Sequence, residues 1–286
     1  MSKNKSIRYQ VQGELVKKLE IGESRHKKNQ KRKYEKSNKI HSWTTYNDYV
    51  KHCTLFGEWV KANHGVKKIT EMKKYAADYL NYRIKQGLSA WTVKLDAAAL
   101  AKLYDCSLTD FGVEMPERKR ADIKRSRGKI KDFDEEKNRE IVAFSLGVGL
   151  FLHEMKRVKK RDVIQKGEKV FVIVKGRNGE NERSVPVRKG YEKDVLAIAN
   201  RYTDNNAFLF LKSEIPCRFP CQKYRAMYAK AQYEALARPV DAIPAKDRYF
   251  CRKDKKGVIY DKAAMKIVAK MLGHTRYNNM AMNYLY

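Results

Sequence analysis

The residues of this chain best placed to do chemistry lie close to its C-terminal end. His274 follows a Leu272-Gly273 pair, and Tyr284 stands ten positions further on. A phenol can attack phosphorus once its proton has somewhere to go, and an imidazole can hydrogen-bond a non-bridging phosphate oxygen. Together they can form a metal-free site for cutting a phosphodiester strand. The same stretch has a plainer reading, because Gly-His often closes a helix and a terminal tyrosine often only fills a core. The rest of the chain must decide between them.

Composition narrows the choice. The 286 residues carry 63 Lys and Arg against 33 Asp and Glu, a formal charge of +30. Self-repulsion on that scale destabilises a compact chain, so a polyanion is the expected partner rather than a small neutral substrate. The basic residues run along the whole chain and alternate with 18 tyrosines, which fits a protein that wraps nucleic acid. Five cysteines, Cys53, Cys106, Cys217, Cys221 and Cys251, include no Cys-x-x-Cys pair, so neither a disulfide framework nor a zinc ribbon is expected. No apolar run reaches the roughly 18 residues of a membrane helix, and the first residues lead into no apolar signal region. A cytoplasmic protein without membrane partners is the expectation.

The elements that must position the site can be read in order. Val11, Leu15, Val16 and Leu19 keep helical spacing, and a basic arm from Arg25 to Lys36 follows, so residues 1–41 form a helix and arm. Ser42 caps a helix whose apolar face is Tyr46, Tyr49, Val50, Cys53, Phe56 and Val60. Thr70 is placed to cap a second, with Tyr79 and Leu80, ending at Gly87. Ser89 opens a third, with Val93, Leu100 and Leu103. Residues 42–111 thus predict a small helical bundle. Residues 112–131 form a basic linker bearing Arg118, Lys119, Arg120, Lys124, Arg125 and Arg127, which we read as phosphate contacts. Residues 132–286 begin with an acidic helix start at Phe133. They continue through a hairpin of 170–174 with 183–187, turning at Asn178-Gly179, to helices near 190–202, 219–237 and 260–272.

This order of parts resembles the tyrosine recombinase, or phage integrase, family over residues 42 to 286. The family's first box, Gly-Leu-Arg-x-x-Glu-Leu-x-x-Leu-x-x-x-Asp, is matched in spacing by Gly149, Leu150, Glu154, Met155, Val158 and Asp162. Its hairpin pattern is matched by Gly176, Arg177, Glu182, Arg183, Val185 and Pro186. Its His-x-x-Arg box resembles Tyr249 to Arg252, and its Leu-Gly-His box resembles Leu272 to His274. The resemblance implies a mainly α protein: a helical, SAM-like core-binding domain followed by a helical catalytic domain with a small β-hairpin sheet. It implies Tyr284 as the nucleophile of a 3′-phosphotyrosyl intermediate, formed without metal or cofactor. Arg252, His274 and Tyr249 would hold the phosphate, with Arg177 or Lys175 near the leaving oxygen. The implied partners are double-stranded DNA and further copies of the chain on that DNA. Two residues follow Tyr284 in the sequence, so docking on a neighbouring copy is expected to need another surface.

One departure matters chemically. The family's first arginine falls on Phe151, which can donate nothing to a phosphate, and losing one such donor costs about 10² to 10³ in rate. Arg157 lies six residues on, too far round a helix to replace it directly. Two functions follow. One is a site-specific recombinase or integrase of a mobile element, with Arg157 or Lys156 recruited into the site. The other is a pseudo-recombinase that binds DNA as an accessory or regulatory factor without cutting.

Overall fold

The computed structural model describes residues 5–22, 38–119, 133–176, 182–252 and 255–285. The chain divides into two compact units, Met1–Lys124 and Arg125–Tyr286. Both are mainly α, and the second adds two small antiparallel sheets. Among the described residues no helix is long and apolar enough to cross a membrane.

In the first unit, α1 (Ile7–Val16) buries Ile7, Val11 and Leu15, one residue per turn, against α2 (Trp43–His64). Helix α2 starts where Ser42 Oγ accepts the Thr45 N–H and stops at Gly65, whose φ of 69° few other residues adopt. The second bundle helix, α3 (Ala76–Lys85), begins later than Thr70. The Ile69 N–H is taken by Gln10 Oε1 at 3.0 Å and the Ile69 carbonyl by Tyr104 Oη at 2.8 Å. With both groups engaged elsewhere, the chain makes two 3₁₀ turns that bury Ile69 and Met72 before α-helix resumes. Helix α4 (Ala90–Leu103) is capped by Ser89 as expected and holds a buried carboxylate, Asp96, between His52 Nδ1 at 2.5 Å and Arg83 Nε at 3.0 Å. The basic arm, Arg25 to Lys36, lies outside the described residues.

The second unit opens with α5 (Arg139–Val148). The Asp134 carboxylate accepts the N–H groups of Glu136 and Lys137, so the acidic stretch forms a turn and the helix proper starts after it. Gly149 ends α5 at φ 57°, and a Cβ there would meet the Tyr228 ring 2.3 Å away, so only glycine fits. A single turn, α6 (Leu152–Met155), follows. Strands β1 (Val163–Lys166), β2 (Lys169–Val174) and β3 (Arg183–Pro186) form an antiparallel sheet with Val172 opposite Val163 on one side and Val185 on the other. The hairpin β2-β3 was expected; β1 is an addition, turned back by Gly167 at φ 60°. The hairpin's turn, Arg177 to Asn181, lies outside the described residues.

Helices α7 (Glu192–Ala199) and α8 (Cys221–Leu236) then pack on α5. A second hairpin, β4 (Arg248–Phe250) with β5 (Ile259–Asp261), leads into α9 (Lys262–Met271) and the short α10 (Asn278–Asn283). Asp261 is the joint between this hairpin and α9. Its carboxylate accepts the Ala263 and Ala264 N–H groups and receives Arg238 Nε at 2.7 Å and Nη2 at 2.8 Å. The Arg238 bonds hold that carboxyl well below the usual carboxylate range. A depressed carboxylate contributes stability above its unfolded pKa of about 4 and loses it as pH falls from there. We predict that Asp261→Ala costs about 2–4 kcal/mol in urea unfolding at pH 7. The gap between it and wild type should narrow steadily below pH 4.

Candidate functional site

Tyr284 sits at the end of α10 with 6% of its surface exposed, and its hydroxyl meets two groups. His274 Nε2 lies 2.9 Å from the phenol oxygen, and Arg225 Nε donates to that oxygen at 3.2 Å. The structure therefore brings His274 and Tyr284 together, and it adds an arginine that sequence reasoning did not single out. Arg225 projects from α8 and is fully buried. Its Nη1 donates to the Gly149 carbonyl at 2.5 Å and its Nη2 to the Leu272 carbonyl. Both acceptors sit at helix C-terminal ends, those of α5 and α9, where carbonyls lack helical partners and the helix dipole is negative. Above the guanidinium plane lies the ring of Phe151, its centroid 3.6 Å from Arg225 Cζ.

The surroundings are built by the boxes noted in the sequence. Glu154, buried on α6, accepts the Phe151 N–H at 2.8 Å with one oxygen and pairs with Arg183 of β3 at 2.8 Å with the other. Arg183 Nε in turn donates to the Met271 carbonyl at 2.9 Å. Gly273, at φ 72°, brings the chain so close to Arg183 that a Cβ would lie 3.0 Å from its Nη1. After the tyrosine, the Leu285 carbonyl accepts Lys255 Nζ at 2.7 Å and Tyr260 Oη, which pins the segment that carries the phenol.

Electrostatics set the charge state of the histidine. Burial, then the positive charges of Arg225 and Arg183, push His274 down to about 4, so its imidazole is neutral at physiological pH. An arginine can only donate. With Arg225 donating to the phenol oxygen, the tautomer of the neutral imidazole with its proton on Nδ1 leaves Nε2 to accept the hydroxyl proton. The cluster is a phenol with a neutral imidazole on one side and a fixed cation on the other.

Among the described residues, the other sequence-predicted residues make no hydrogen bond to the Tyr284 hydroxyl. Tyr249 is on strand β4, half-buried and edge-on to Tyr277, with ring centroids 6.2 Å apart. Arg252 is exposed just beyond β4. Lys156 and Arg157 are exposed at the end of α6. Lys175 is exposed at the end of β2, beside Arg177, which is outside the described residues together with Arg120, Lys124, Arg125 and Arg127. In the first unit Arg118 lies over the Trp91 ring at 4.6 Å, and Lys119 is exposed. A signal for Arg225 was present: Cys221, Tyr224, Tyr228 and Tyr233 form the apolar stripe of α8, and a charge at 225 falls on that buried face.

No protein-family model and no curated protein matches the chain. Solved structures of recombinases do. The chain is similar to the XerH site-specific recombinase bound to a palindromic difH substrate in a post-cleavage complex. The likeness covers 98% of this chain and 92% of that one at 14% identity, with a TM-score of 0.51. The pre-cleavage XerH complex with difH gives 13% identity and the same TM-score and coverage. A Tn1549 transposon integrase bound to transposon right end DNA is similar at 12% identity over 82% of this chain and 94% of that one, with a TM-score of 0.45. The fold of this chain is that of the tyrosine recombinases, in a divergent form.

The depressed His274 makes a prediction with a definite sign. The unfolded chain binds a proton on this histidine near pH 6.5 that the folded chain does not bind until about 4, so stability falls as pH is lowered across that window. In an NMR titration the His274 imidazole should still be neutral at pH 5.5, and Arg225→Gln should move its midpoint upward.

Proposed function

We propose that the chain is a DNA-binding, site-specific recombinase or integrase of a mobile element that cuts and rejoins strands through Tyr284. The observation that carries this reading is the Tyr284 hydroxyl held between a buried guanidinium and a neutral imidazole. A buried phenol needs partners whatever its role, and this pair supplies the donor and the acceptor that an attack on phosphorus also requires. In the cutting step the phenol proton passes to His274 Nε2 as the phenol oxygen bonds to phosphorus. The bond from phosphorus to the 5′ oxygen breaks, and that oxygen takes a proton from Lys175 or Arg177. The reverse attack by a 5′ hydroxyl restores the strand and returns the proton to Tyr284.

Arg225 supplies the fixed positive charge. Of its five N–H donors, three are engaged with protein among the described residues. The guanidinium is fully buried, so it acts on the attack through its hydrogen bond to the phenol oxygen and through its fixed charge. The formal charge of +30 supports a duplex DNA partner, with Arg118, Lys119, Arg120, Lys124, Arg125 and Arg127 along phosphates. The XerH structures are complexes with DNA substrates, and likeness of fold supports the same binding mode for this chain. Self-association on DNA belongs to the same reading.

A second reading, a DNA-binding accessory factor that does not cut, is favoured by the phenylalanine at 151 and by the burial of Tyr284. One assay separates the two. A duplex from the element's own end, nicked just beyond the cutting point, traps a covalent adduct that a denaturing gel resolves. We expect an adduct from the wild type, none from Tyr284→Phe, and a rate lowered about 10² to 10³-fold by Arg225→Gln. Tight duplex binding with no adduct from the wild type would leave the accessory reading standing.

A further inference from the structure

We propose that Phe151 is a positioning residue for Arg225: its ring is the floor that keeps the guanidinium in register with the oxygen of Tyr284. The proposal rests on the reading of Tyr284 as a nucleophile. The ring and the guanidinium are 3.6 Å apart, closer than the other arginine-ring contacts in the described residues, such as Arg118 on Trp91 at 4.6 Å and Arg188 on Tyr191 at 5.3 Å. A cation over an aromatic face is held by the ring quadrupole, and more strongly where water is excluded. Arg225 is fully buried, and among the described residues no carboxylate is hydrogen-bonded to it. The ring is thus the main counterweight to the charge beyond two carbonyls and a phenol.

Phe151 is itself fixed to the segment that Arg225 grips. Its N–H is held by Glu154, Glu154 holds Arg183, and Arg183 holds the Met271 carbonyl, one residue before the Leu272 carbonyl that takes Arg225 Nη2. The ring also meets His274 edge-on at 6.2 Å. One side chain therefore touches the cation and the proton acceptor that converge on the phenol. A flexible aliphatic chain at 151 would leave the guanidinium free to tilt. A second guanidinium there would repel Arg225 across a dry gap, since the nearby Glu154 is already committed to Arg183 and the Phe151 N–H. A small misplacement of such a donor is expensive in rate.

The test compares Phe151→Tyr, Phe151→Leu and Phe151→Arg with wild type, after thermal melting has shown each to be folded. Adduct formation on nicked DNA should stay within about threefold for Tyr and fall about 10- to 100-fold for Leu and Arg. In an Arg225→Lys background the Leu substitution should cost less than about twofold more, because the group it positions has gone. The structural readout is hydrogen exchange of the Arg225 Nε–H by NMR, which should speed up about tenfold or more in Phe151→Leu but not in Phe151→Tyr. The proposal is overturned if Phe151→Leu cuts like wild type, if Phe151→Arg cuts faster, or if exchange is unchanged in the Leu variant. Absence of any wild-type adduct would sink the nucleophile reading alone, because the exchange measurement still judges the position of Arg225. Should Phe151→Arg fail to fold, the Leu and Tyr pair decides.

Discussion

A buried guanidinium with no hydrogen-bonded carboxylate among the described residues is the constraint around which the second unit is arranged. Taking such a charge out of water costs several kcal/mol unless each donor finds a partner. Arg225 finds them in carbonyls that helices leave over: Gly149 at the end of α5 and Leu272 at the end of α9. Two helix dipoles thereby present their negative ends to one cation. The third partner is the Tyr284 oxygen. The ends of α5 and α9 and the terminal turn are thus tied to one side chain of α8, which makes the chemistry and the packing of this unit the same problem.

The neighbours of that cation follow from its charge. Its field, added to burial, keeps His274 neutral, with one ring nitrogen free to accept a hydrogen bond. Glu154 is the nearby anion, but it is spent on Arg183 and on the Phe151 backbone, so an aromatic face rather than a carboxylate covers Arg225. The glycines of the two boxes are explained by the same crowding. At 149 the chain passes the Tyr228 ring, and at 273 it passes the Arg183 guanidinium, each at a distance no Cβ allows without displacement. At 151, where the resemblance places arginine, a phenylalanine ring lies against the guanidinium of Arg225 from another helix.

Much of this architecture was legible in the sequence. Serine caps at 42 and 89, the β2-β3 hairpin and the helices near 219–237 and 260–272 follow from local hydrogen-bonding and from periodicity, and the structure has them. The late start of α3 was not legible, because Gln10 and Tyr104, distant in sequence, take the backbone groups of Ile69. Strand β4 was not legible either. Tyr249 to Arg252 has the spacing of a box but alternates in a short hairpin, which leaves Arg252 exposed.

The sequence by itself pointed to the pairing of His274 with Tyr284, which a turn and one short helix, Asn278–Asn283, bring back together over ten residues. It also determined the basic character that calls for a polyanion, because charge adds up without regard to fold. Only the tertiary structure decided which cation faces the phenol. Arg225 is 59 residues from Tyr284 along the chain, and no local pattern links them. They meet because α8 buries its apolar stripe, and the one charge on that stripe must go wherever the helix ends leave carbonyls to receive it.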